Sequence, residues 1–370
     1  MKKVFIKIYG CQANIADSET ISGILKENNF EIIDNEKDAD FIIINSCSVK
    51  NKTQSKIFDY IKKNKNKKII VGGCLTKTVD LRKKFPELYG IFDTNSITQI
   101  LNIIKNKKDI FSDEKENRIL VPVGRAKKEI AIINISQGCL NNCSFCATKL
   151  ARGNLNSYRI GEIKRAIENA VKEGYKGIYL TSQDNGCYGF DIKTNLPELL
   201  QEISSVEGEF IIRLGMMNSM HLREIFPKLL EAYENKKIMK FIHIPIQSGS
   251  EKVLRDMGRN EESVKIFKKI ISEFRKKFPD GTIATDVIVG YPIETEEDFK
   301  KTYELISETK PEVLNISKFS PRPKTRASKL KQLPSEIIKK RAKVLNDLYK
   351  DYIKKVEKRK SLGKLISEEI

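Results

Sequence analysis

The chain has 370 residues, of which 40% are hydrophobic, and its 68 basic and 49 acidic residues give a formal net charge of +19. This length predicts two or three domains, and the apolar content suffices for folded cores, which excludes a disordered chain. No stretch approaches the ~20 apolar residues of a membrane span, so we expect a cytoplasmic protein with no membrane partner.

Residues 1–108 alternate short apolar runs with segments of helical periodicity. Strands that alternate with helices in this way predict a doubly wound parallel sheet of the α/β class. The predicted strands span 4–9, 30–33, 41–44 and 68–71, and the predicted helices span 16–26, 53–63 and 97–104.

Three cysteines, Cys11, Cys47 and Cys74, follow strands of this predicted sheet within two or three residues, and we call them the N-terminal triad. Ligands of open parallel sheets bind beyond the carboxyl ends of the strands, so these thiols are expected to meet at one edge. A single cysteine in such a place is more commonly a small buried apolar residue. Three at equivalent positions, in a compartment where disulfides are rare, predict a metal-cluster site.

Residues 109–128 are mostly polar and charged, and we interpret them as an interdomain linker. From residue 129 to 320 six further strand–helix units follow. They predict a partial (β/α)6 barrel, whose chemistry takes place at the carboxyl ends of its strands. The predicted strands span 130–136, 177–182, 210–216, 241–247, 282–289 and 313–319, and predicted helices span 160–172, 222–232, 262–274 and 296–308.

The densest group of cysteines follows the first barrel strand. Cys139, Cys143 and Cys146, the barrel triad, lie four and three positions apart, so a short turn brings their sulfurs onto one face. A [4Fe–4S] cluster on three cysteines keeps one iron open for a substrate or cofactor. A closed zinc site needs a fourth protein ligand, which is missing locally. An iron–sulfur cluster is therefore favoured, with zinc or unrelated cysteines as the alternatives.

Polar residues follow two other barrel strands. Ser182, Gln183 and Asp184 come after the second strand, where they are placed to address the amine, carboxylate or ribose of a nucleoside cofactor. Gln247 and Ser248 come after the fourth strand. Each pattern is weak alone, and a turn that the fold requires is the default interpretation.

The fifth strand carries Asp286 and ends before Gly290, a glycine that permits close approach to an adenine ring. Cys187 lies in a loop after the second strand and is interpreted as a spare thiol. The two histidines are too few and too scattered for a zinc triad. His243 is predicted to be a packed, hydrogen-bonded strand residue, and His221 to lie near the start of a helix.

Residues 321–360 form a basic segment with a long helical pattern. Residues 321–370 hold 16 Lys or Arg against 6 Asp or Glu, so +10 of the total +19 lies there. A charge run is ordinarily a solvated helix face, and a lysine-rich surface can serve solubility alone. The concentration of half the net charge in this segment favours a surface that binds the phosphate backbone of a nucleic acid.

From Tyr9 to about Lys364, the chain resembles the radical S-adenosylmethionine methylthiotransferases, most closely the archaeal and eukaryotic branch that modifies N6-threonylcarbamoyladenosine in tRNA. Phe145, the aromatic residue before the third barrel cysteine, completes the Cys-x3-Cys-x-aromatic-Cys signature. The branch assignment depends on softer motifs at 184–189 and 213–218. The other matching motifs are Tyr9-Gly10-Cys11-Gln12-Ala13-Asn14 with Asp17-Ser18-Glu19, Asn45-Ser46-Cys47-Ser48-Val49, Gly72-Gly73-Cys74, Ala151-Arg152-Gly153, Ser182-Gln183-Asp184, Pro245-Ile246-Gln247-Ser248-Gly249-Ser250, Met257-Gly258-Arg259, and residues 285–292 followed by Glu294-Thr295.

The resemblance implies two [4Fe–4S] clusters. The one on the barrel triad binds and reductively cleaves S-adenosylmethionine, and an auxiliary one on the N-terminal triad carries the sulfur. The implied product has a methylthio group on C2 of the modified adenine beside the tRNA anticodon. The implied partners are tRNA, S-adenosylmethionine and an electron donor such as ferredoxin or flavodoxin. The implied cofactor-binding residues are Phe145, Ser182, Gln183, Asp184, Gln247, Ser248, Arg259, Asp286 and Gly290.

Members of this family end in a small TRAM-like β-barrel that binds tRNA. Residues 361–370 match only the start of its first strand, so either the sequence is truncated or the basic helix alone holds tRNA, and we expect weakened and strongly salt-dependent binding. Two other functions remain open. One is methylthiolation of a ribosomal protein side chain, against which the basic surplus and the branch motifs argue. The other is a non-catalytic, metal-stabilised nucleic-acid-binding protein in which both triads are structural.

Overall fold

The computed structural model describes residues 1–49, 51–125 and 129–357. The last residues of the predicted linker (126–128), the end of the basic helical segment (358–360) and the predicted barrel start (361–370) lie outside the described residues. Within the described ranges, no helix is both long and apolar enough to cross a membrane.

The N-terminal unit is a five-stranded parallel sheet with helices on both faces. Its strands are β1 (Lys2–Ile8), β2 (Phe30–Ile32), β3 (Phe41–Ser46), β4 (Lys68–Gly73) and β5 (Gly90–Ile91). Its helices are α1 (Gln12–Glu27), α2 (Asn51–Lys63), α3 (Leu75–Thr78), α4 (Leu81–Lys84) and α5 (Ile100–Asn106), with 3-10 turns at Glu36–Asp38 and Ile97–Gln99. The strand order is β2-β1-β3-β4-β5, and every pairing is parallel.

Strand β3 shows why this sheet is covered on both sides. Successive side chains of a strand point to opposite faces, and all six residues of β3 are buried. Ile43 packs in a cluster with Ile21 of α1, whereas Ile42 and Ile44 pack in a second cluster with Ile57 of α2. The apolar run is therefore continuous rather than alternating, as in parallel sheets buried on both faces. The predicted doubly wound sheet is confirmed.

The second unit is a half-barrel of parallel strands with helices outside. Its strands are β6 (Ile130–Asn134), β7 (Ser136–Gln137), β8 (Asn156–Ser157), β9 (Gly177–Thr181), β10 (Ile211–Leu214), β11 (Phe241–His243), β12 (Thr282–Val289) and β13 (Val313–Lys318). Its helices are α6 (Ala147–Arg152), α7 (Ile160–Lys172), α8 (Leu196–Ser204), α9 (Ser219–Ala232), α10 (Glu251–Asp256), α11 (Ser263–Lys277), α12 (Glu296–Thr309) and α13 (Ser335–Glu357), with 3-10 turns at Asn185–Cys187 and Arg326–Lys329.

The wall of the half-barrel consists of six parallel strands, as predicted. The ladders β6-β9-β10 and β11-β12-β13 are continuous, and an isolated parallel bridge between Ile212 and Ile238 joins them. Strands β7 and β8 form a small antiparallel hairpin outside this wall. Strand β11 is shorter than the predicted 241–247, because Pro245 has no N–H for the ladder and Gln247 has a left-handed backbone, φ +73°.

The segment between the two units has no strand or helix in its described residues 109–125, where only Ile110 forms an isolated bridge. It packs closely against α1: Gly124 donates its N–H to the carbonyl of Glu19 at 2.8 Å. A Cβ on Gly23 would lie 2.1 Å from the carbonyl oxygen of Pro122, so α1 needs a glycine there. The segment thus fixes the N-terminal sheet against the half-barrel.

Helix α13 closes the half-barrel beside β12 and β13. It buries Ala342, Leu345 and Tyr352, and its Arg341 donates to the carbonyl and the carboxylate of Glu294 at 3.0 and 2.9 Å. The lysines of the helix whose side chains are described face outward. The exposed ones among the described side chains are Lys339, Lys340, Lys343, Lys350 and Lys354.

Candidate functional site

The N-terminal triad lies at the carboxyl edge of the first sheet. Cys11 is the N-cap of α1 after β1, Cys47 directly follows β3, and Cys74 follows β4 as the N-cap of α3. Burial is the largest cause that raises the pKa of Cys47 and the pKa of Cys74, the latter to about 11; Cys11 contributes to both rises and Cys47 to that of Cys74. The three sulfurs therefore lie within electrostatic reach of one another, and ligation of a metal requires their deprotonation.

The turn before Cys74 is fixed by a glycine. Gly73 has φ +91°, and a Cβ there would lie 2.4 Å from the side-chain oxygen of Asn45. Asn45 in turn exchanges hydrogen bonds with Asn14, whose Nδ2 donates to Asn45 Oδ1 at 3.0 Å. These polar side chains are buried, so the edge of the sheet is rigid around the three thiols.

A buried cluster of charge joins the N-terminal triad to the half-barrel. Asp17 of α1 accepts hydrogen bonds from Arg152 Nη2 at 2.6 Å and from Arg118 Nη2 at 2.8 Å. All three side chains are at most 4% exposed. One carboxylate between two guanidinium groups leaves one positive charge in surplus within this cluster. Arg152 lowers the pKa of Cys74, so that surplus acts on the triad.

The barrel triad lies in the loop between the β7–β8 hairpin strands, with Cys146 as the N-cap of α6. Asn141 holds this loop: its backbone N–H and its side-chain amide donate to Cys139 Sγ at 3.3 and 3.4 Å, and the amide also donates to Asp184 Oδ2 at 3.0 Å. The N–H of Ser144 donates to the carbonyl of Met257 at 2.9 Å. These hydrogen bonds fix the loop against the residues that follow the second strand of the wall and against Met257.

Burial raises the pKa of Cys143 and of Cys146, although nearby Arg259 acts in the opposite direction on Cys143. The pKa of Cys139 is lowered instead, because the neighbouring thiol of Cys187 outweighs burial. The pKa of Cys139 is thus shifted in the direction opposite to those of Cys143 and Cys146.

Cys187 was interpreted from the sequence as a spare thiol, and its position was not foreseen. Its side chain is fully buried, and its sulfur lies within 4.8 Å of Cys139 Sγ and of a carboxylate oxygen of Asp184. His221 Nε2 lies 3.2 Å from Asn141 Oδ1 and 3.6 Å from Asp184 Oδ2, in the same network. The only signal in the sequence for Cys187 was its place after a barrel strand, which it shares with the predicted cofactor residues.

The residues predicted after the second strand form the floor of this loop. Gln183 Oε1 accepts from the N–H of Gly138 at 2.6 Å. Ser182 Oγ accepts from the N–H of Asp184 at 3.1 Å, and Asp184 Oδ1 accepts from the N–H of Gly186 at 3.0 Å. Burial raises the pKa of Asp184, and nearby His221 partly offsets the rise. Asp184 Oδ2 is thus aimed at the barrel triad.

The residues predicted after the fourth and fifth strands lie on the other wall. Gln247 holds a left-handed backbone, for which a non-glycine residue requires support from its surroundings. Its N–H donates to the carbonyl of Asp286 at 2.8 Å. Asp286 accepts from His243 Nε2 at 3.0 Å and from Asn315 Nδ2 at 2.7 Å. Burial opposes these hydrogen bonds, but they lower the pKa of Asp286 and keep it ionised.

Three further predicted residues make contacts that serve the fold. Phe145 is half-buried against the barrel core, and Ser248 Oγ lies 3.3 Å from Thr302 Oγ1. Gly290 has φ +76°, and a Cβ there would lie 2.4 Å from the side chain of Ile338 in α13. The need for glycine at this strand end comes from the contact with α13.

Helix α6 connects the two triads. It begins at Cys146 of the barrel triad and ends six residues later at Arg152, which lies against Cys74 of the N-terminal triad. A helix of this length spans about 9 Å. Thr94 Oγ1 donates to the carbonyl of Ala151 at 2.7 Å and fixes the helix end to the first sheet. One short helix therefore connects the barrel triad to the N-terminal triad.

Both triads have the donor set of a thiolate-ligated metal group. Three buried guanidinium Nε atoms have no hydrogen-bond partner in the described chain and lie near the thiols: Arg152 and Arg322 beside the N-terminal triad, and Arg259 beside the barrel triad. Buried donors without acceptors are unfavourable, and sulfur atoms of an anionic group would accept from them. The residues present therefore fit such a group at either triad.

Two family models match the chain: the radical SAM superfamily over residues 133–306 and the uncharacterized protein family UPF0004 over residues 3–93. The probable threonylcarbamoyladenosine tRNA methylthiotransferase of Pyrococcus abyssi is 41% identical over 365 residues, which cover 94% of this chain and 83% of that protein. The chain belongs to this family of methylthiotransferases.

A eukaryotic relative has the same name as the archaeal one. The human threonylcarbamoyladenosine tRNA methylthiotransferase is 36% identical over 367 residues, or 95% of this chain and 63% of the human protein. The radical S-adenosylmethionine methyltransferase TsrM from Kitasatospora setae superimposes with a TM-score of 0.63 at 11% identity, over 89% of this chain and 75% of that one, a likeness of fold alone. The chain is thus a radical SAM transferase, an enzyme class that uses a [4Fe–4S] cluster and S-adenosylmethionine.

Proposed function

We propose that the chain installs a methylthio group on C2 of N6-threonylcarbamoyladenosine in tRNA. One observation carries the proposal: α6 has Cys146 of one triad at its first turn and ends at Arg152, against Cys74 of the other. A substrate base beside this helix is within reach of both triads. The names of the relatives support tRNA as the substrate.

When bound, a [4Fe–4S] cluster on the barrel triad supplies the electron that cleaves S-adenosylmethionine, and a second one on the N-terminal triad supplies an open iron for the transferred sulfur. The protein's own residues hold and shield these groups. Asn141 orients Cys139, and the buried Arg152 and Arg259 offset negative charge next to each triad.

For S-adenosylmethionine we propose the residues on the two facing walls of the half-barrel. Asp184 Oδ2 is an acceptor beside the barrel triad, suited to the methionyl amine. Asp286, kept ionised by His243 and Asn315, is suited to the ribose hydroxyls. Because the backbone at Gln247 is left-handed, the residue departs from the regular strand geometry, and we propose that its side-chain amide contacts the cofactor. For six other residues, contact with S-adenosylmethionine stays a prediction: Phe145, Ser182, Gln183, Ser248, Arg259 and Gly290.

The positive charge of the chain supports two proposed partners, tRNA and an electron donor. The exposed lysines of α13 provide a surface for the phosphate backbone of tRNA, and the surplus of +19 favours an acidic redox protein, ferredoxin or flavodoxin, as the electron donor. We propose the cytoplasm as the compartment, since reduced thiols and tRNA are both found there.

The test combines iron analysis with nucleoside mass spectrometry. Protein reconstituted anaerobically is expected to hold about eight iron atoms per chain, and variants that replace either triad with alanine about four. With S-adenosylmethionine and dithionite, the wild type should release 5′-deoxyadenosine and convert the modified adenosine in tRNA to its 2-methylthio form.

The variants separate the two halves of the proposal. Replacement of the barrel triad should abolish both 5′-deoxyadenosine and the methylthio product. Replacement of the N-terminal triad should abolish only the product, so that cleavage of S-adenosylmethionine continues. Zinc in place of iron, with no cleavage, would instead identify a metal-stabilised binding protein. A methylthio group on a ribosomal protein, with none on tRNA, would identify the alternative substrate.

A further inference from the structure

One arginine inside the half-barrel has no acceptor. In β10, Ile212 and Leu214 point outward into the core beneath the helices, so Arg213 between them points to the inner face. The described residues provide Arg213 with no hydrogen bond and no ion pair, and its Nε is buried without a partner. Burial lowers the pKa of this guanidinium, which nevertheless stays protonated.

Two aromatic rings hold the guanidinium in place. Arg213 Cζ lies 4.8 Å from the ring centre of Tyr179 on β9 and 4.3 Å from that of Phe241 on β11. Tyr179 is directly opposite Arg213 in the register of β9 and β10. The two rings hold the guanidinium in position by cation–π contact, and none of its five N–H donors has an acceptor among the described residues.

Other arginines of this unit also have an unpartnered Nε, but each of them has an acceptor at a terminal nitrogen. Arg152 is paired with Asp17, Arg341 with Glu294, and Arg259 donates to the carbonyl of Pro245 at 2.7 Å. Arg213 is partly buried, a buried N–H donor without an acceptor is unfavourable, and the planar fork of arginine matches a carboxylate in bidentate geometry. The environment of Arg213 thus calls for an anionic ligand.

The position of Arg213 in the half-barrel indicates which ligand supplies the anionic group. Burial raises the pKa of Tyr179, Arg213 lowers it, and Cys11 raises it further, so the ring beside Arg213 lies within electrostatic reach of the N-terminal triad. Sulfur transfer to the base takes place at that triad in the proposed function. A substituent on the same base would then reach the neighbouring strands.

We propose that Arg213 binds the carboxylate of the threonylcarbamoyl group of the tRNA substrate and so selects the modified adenosine over the plain one. This inference rests on the proposed function. The methionyl part of S-adenosylmethionine carries a carboxylate too, and the experiment separates the two sources.

The test measures the binding of two tRNAs that differ in one group. The wild type, reconstituted anaerobically, is titrated with a tRNA that carries N6-threonylcarbamoyladenosine and with the same tRNA transcribed without it. We expect the wild type to prefer the modified tRNA about tenfold or more. Arg213→Gln should bring this ratio close to one without weakening binding of the plain transcript, and Arg213→Lys should restore part of it.

The control is Arg223→Gln, which removes an exposed guanidinium paired with Glu262 on the outer helices and should leave the ratio unchanged. Iron content and circular dichroism of each variant check that it is folded. A ratio that persists in Arg213→Gln overturns the inference. Weaker binding of S-adenosylmethionine by Arg213→Gln also overturns the inference, because it would assign the arginine to the carboxylate of the cofactor.

The two proposals fail separately. If the wild type makes no methylthio product from the modified tRNA, the proposed function fails. If it makes the product and Arg213→Gln keeps the preference for the modified tRNA, only the role of Arg213 fails.

Discussion

Arg152 Nη2 lies 2.6 Å from Asp17 Oδ2, and this buried pair joins the two α/β units of the chain. Asp17 belongs to the first helix of the N-terminal sheet, and Arg152 ends the helix that starts at the barrel triad. Arg118 of the connecting segment shares the same carboxylate at 2.8 Å. A single carboxylate therefore pairs with cations from two further parts of the chain.

Asp17→Asn is expected to lower the free energy of unfolding by about 3–5 kcal/mol, because it leaves two buried guanidinium groups without a counter-charge. Urea unfolding of the anaerobic protein measures the change. Glu261→Gln is the matched control, since it removes an exposed partner of Arg255 and should change the free energy by less than about 1 kcal/mol. Equal effects of the two substitutions would contradict the importance of burial.

Gly73→Ala is expected to disturb the N-terminal triad alone. A Cβ at φ +91° costs about 1–2 kcal/mol and collides with Asn45, so the turn that carries Cys74 must shift. Iron analysis should find about four iron atoms per chain instead of about eight. Gly161→Ala on α7 provides the control, because a Cβ there has no atom within 4 Å. It should keep full iron and gain about 0.5–1 kcal/mol in stability.

Gln247→Gly should separate stability from cofactor binding. Glycine tolerates φ +73°, so the free energy of unfolding is expected to stay level or rise by up to about 1 kcal/mol. Equilibrium dialysis should show weaker binding of S-adenosylmethionine, because the amide that the strained turn presents is gone. Unchanged affinity for the cofactor would show that this strain serves only the fold.

The helix α13 is expected to set the salt dependence of tRNA binding. Replacement of the exposed Lys339, Lys340 and Lys343 with glutamine should reduce the slope of log affinity against log salt by about 2–3. The matched triple replacement on α11, at Lys265, Lys269 and Lys276, should leave the slope near the wild-type value. Identical slopes for the two triple variants would exclude α13 as the phosphate surface.

Local patterns were sufficient to predict the elements and the edges where the cysteines lie. The apolar run that becomes β3 ends just before Cys47. One short stretch of sequence therefore predicts both the strand and the edge of the sheet at which the cysteines lie. The start of α1 was predicted at residue 16, whereas it begins at Gln12, because Cys11 as N-cap starts the helix within the cysteine turn.

Contacts between distant segments could not be predicted in this way. Asp17 and Arg152 are 135 residues apart, and neither position has a neighbour in sequence that reveals its partner. The same holds for Cys187, which looked like a spare thiol until the turn after β9 placed it beside Cys139. Such pairs depend on how the two units pack, for which one sequence carries no local pattern.

The short helix α6 also restricts how this stretch of sequence can vary in length. Each residue added to a helix advances its end by about 1.5 Å and rotates it by about 100°. One residue inserted between Cys146 and Arg152 would therefore rotate the guanidinium of Arg152 away from Asp17 and away from the N-terminal triad. Homologous chains that share this architecture should thus accept changes of side chain in α6 but no change in the number of its residues.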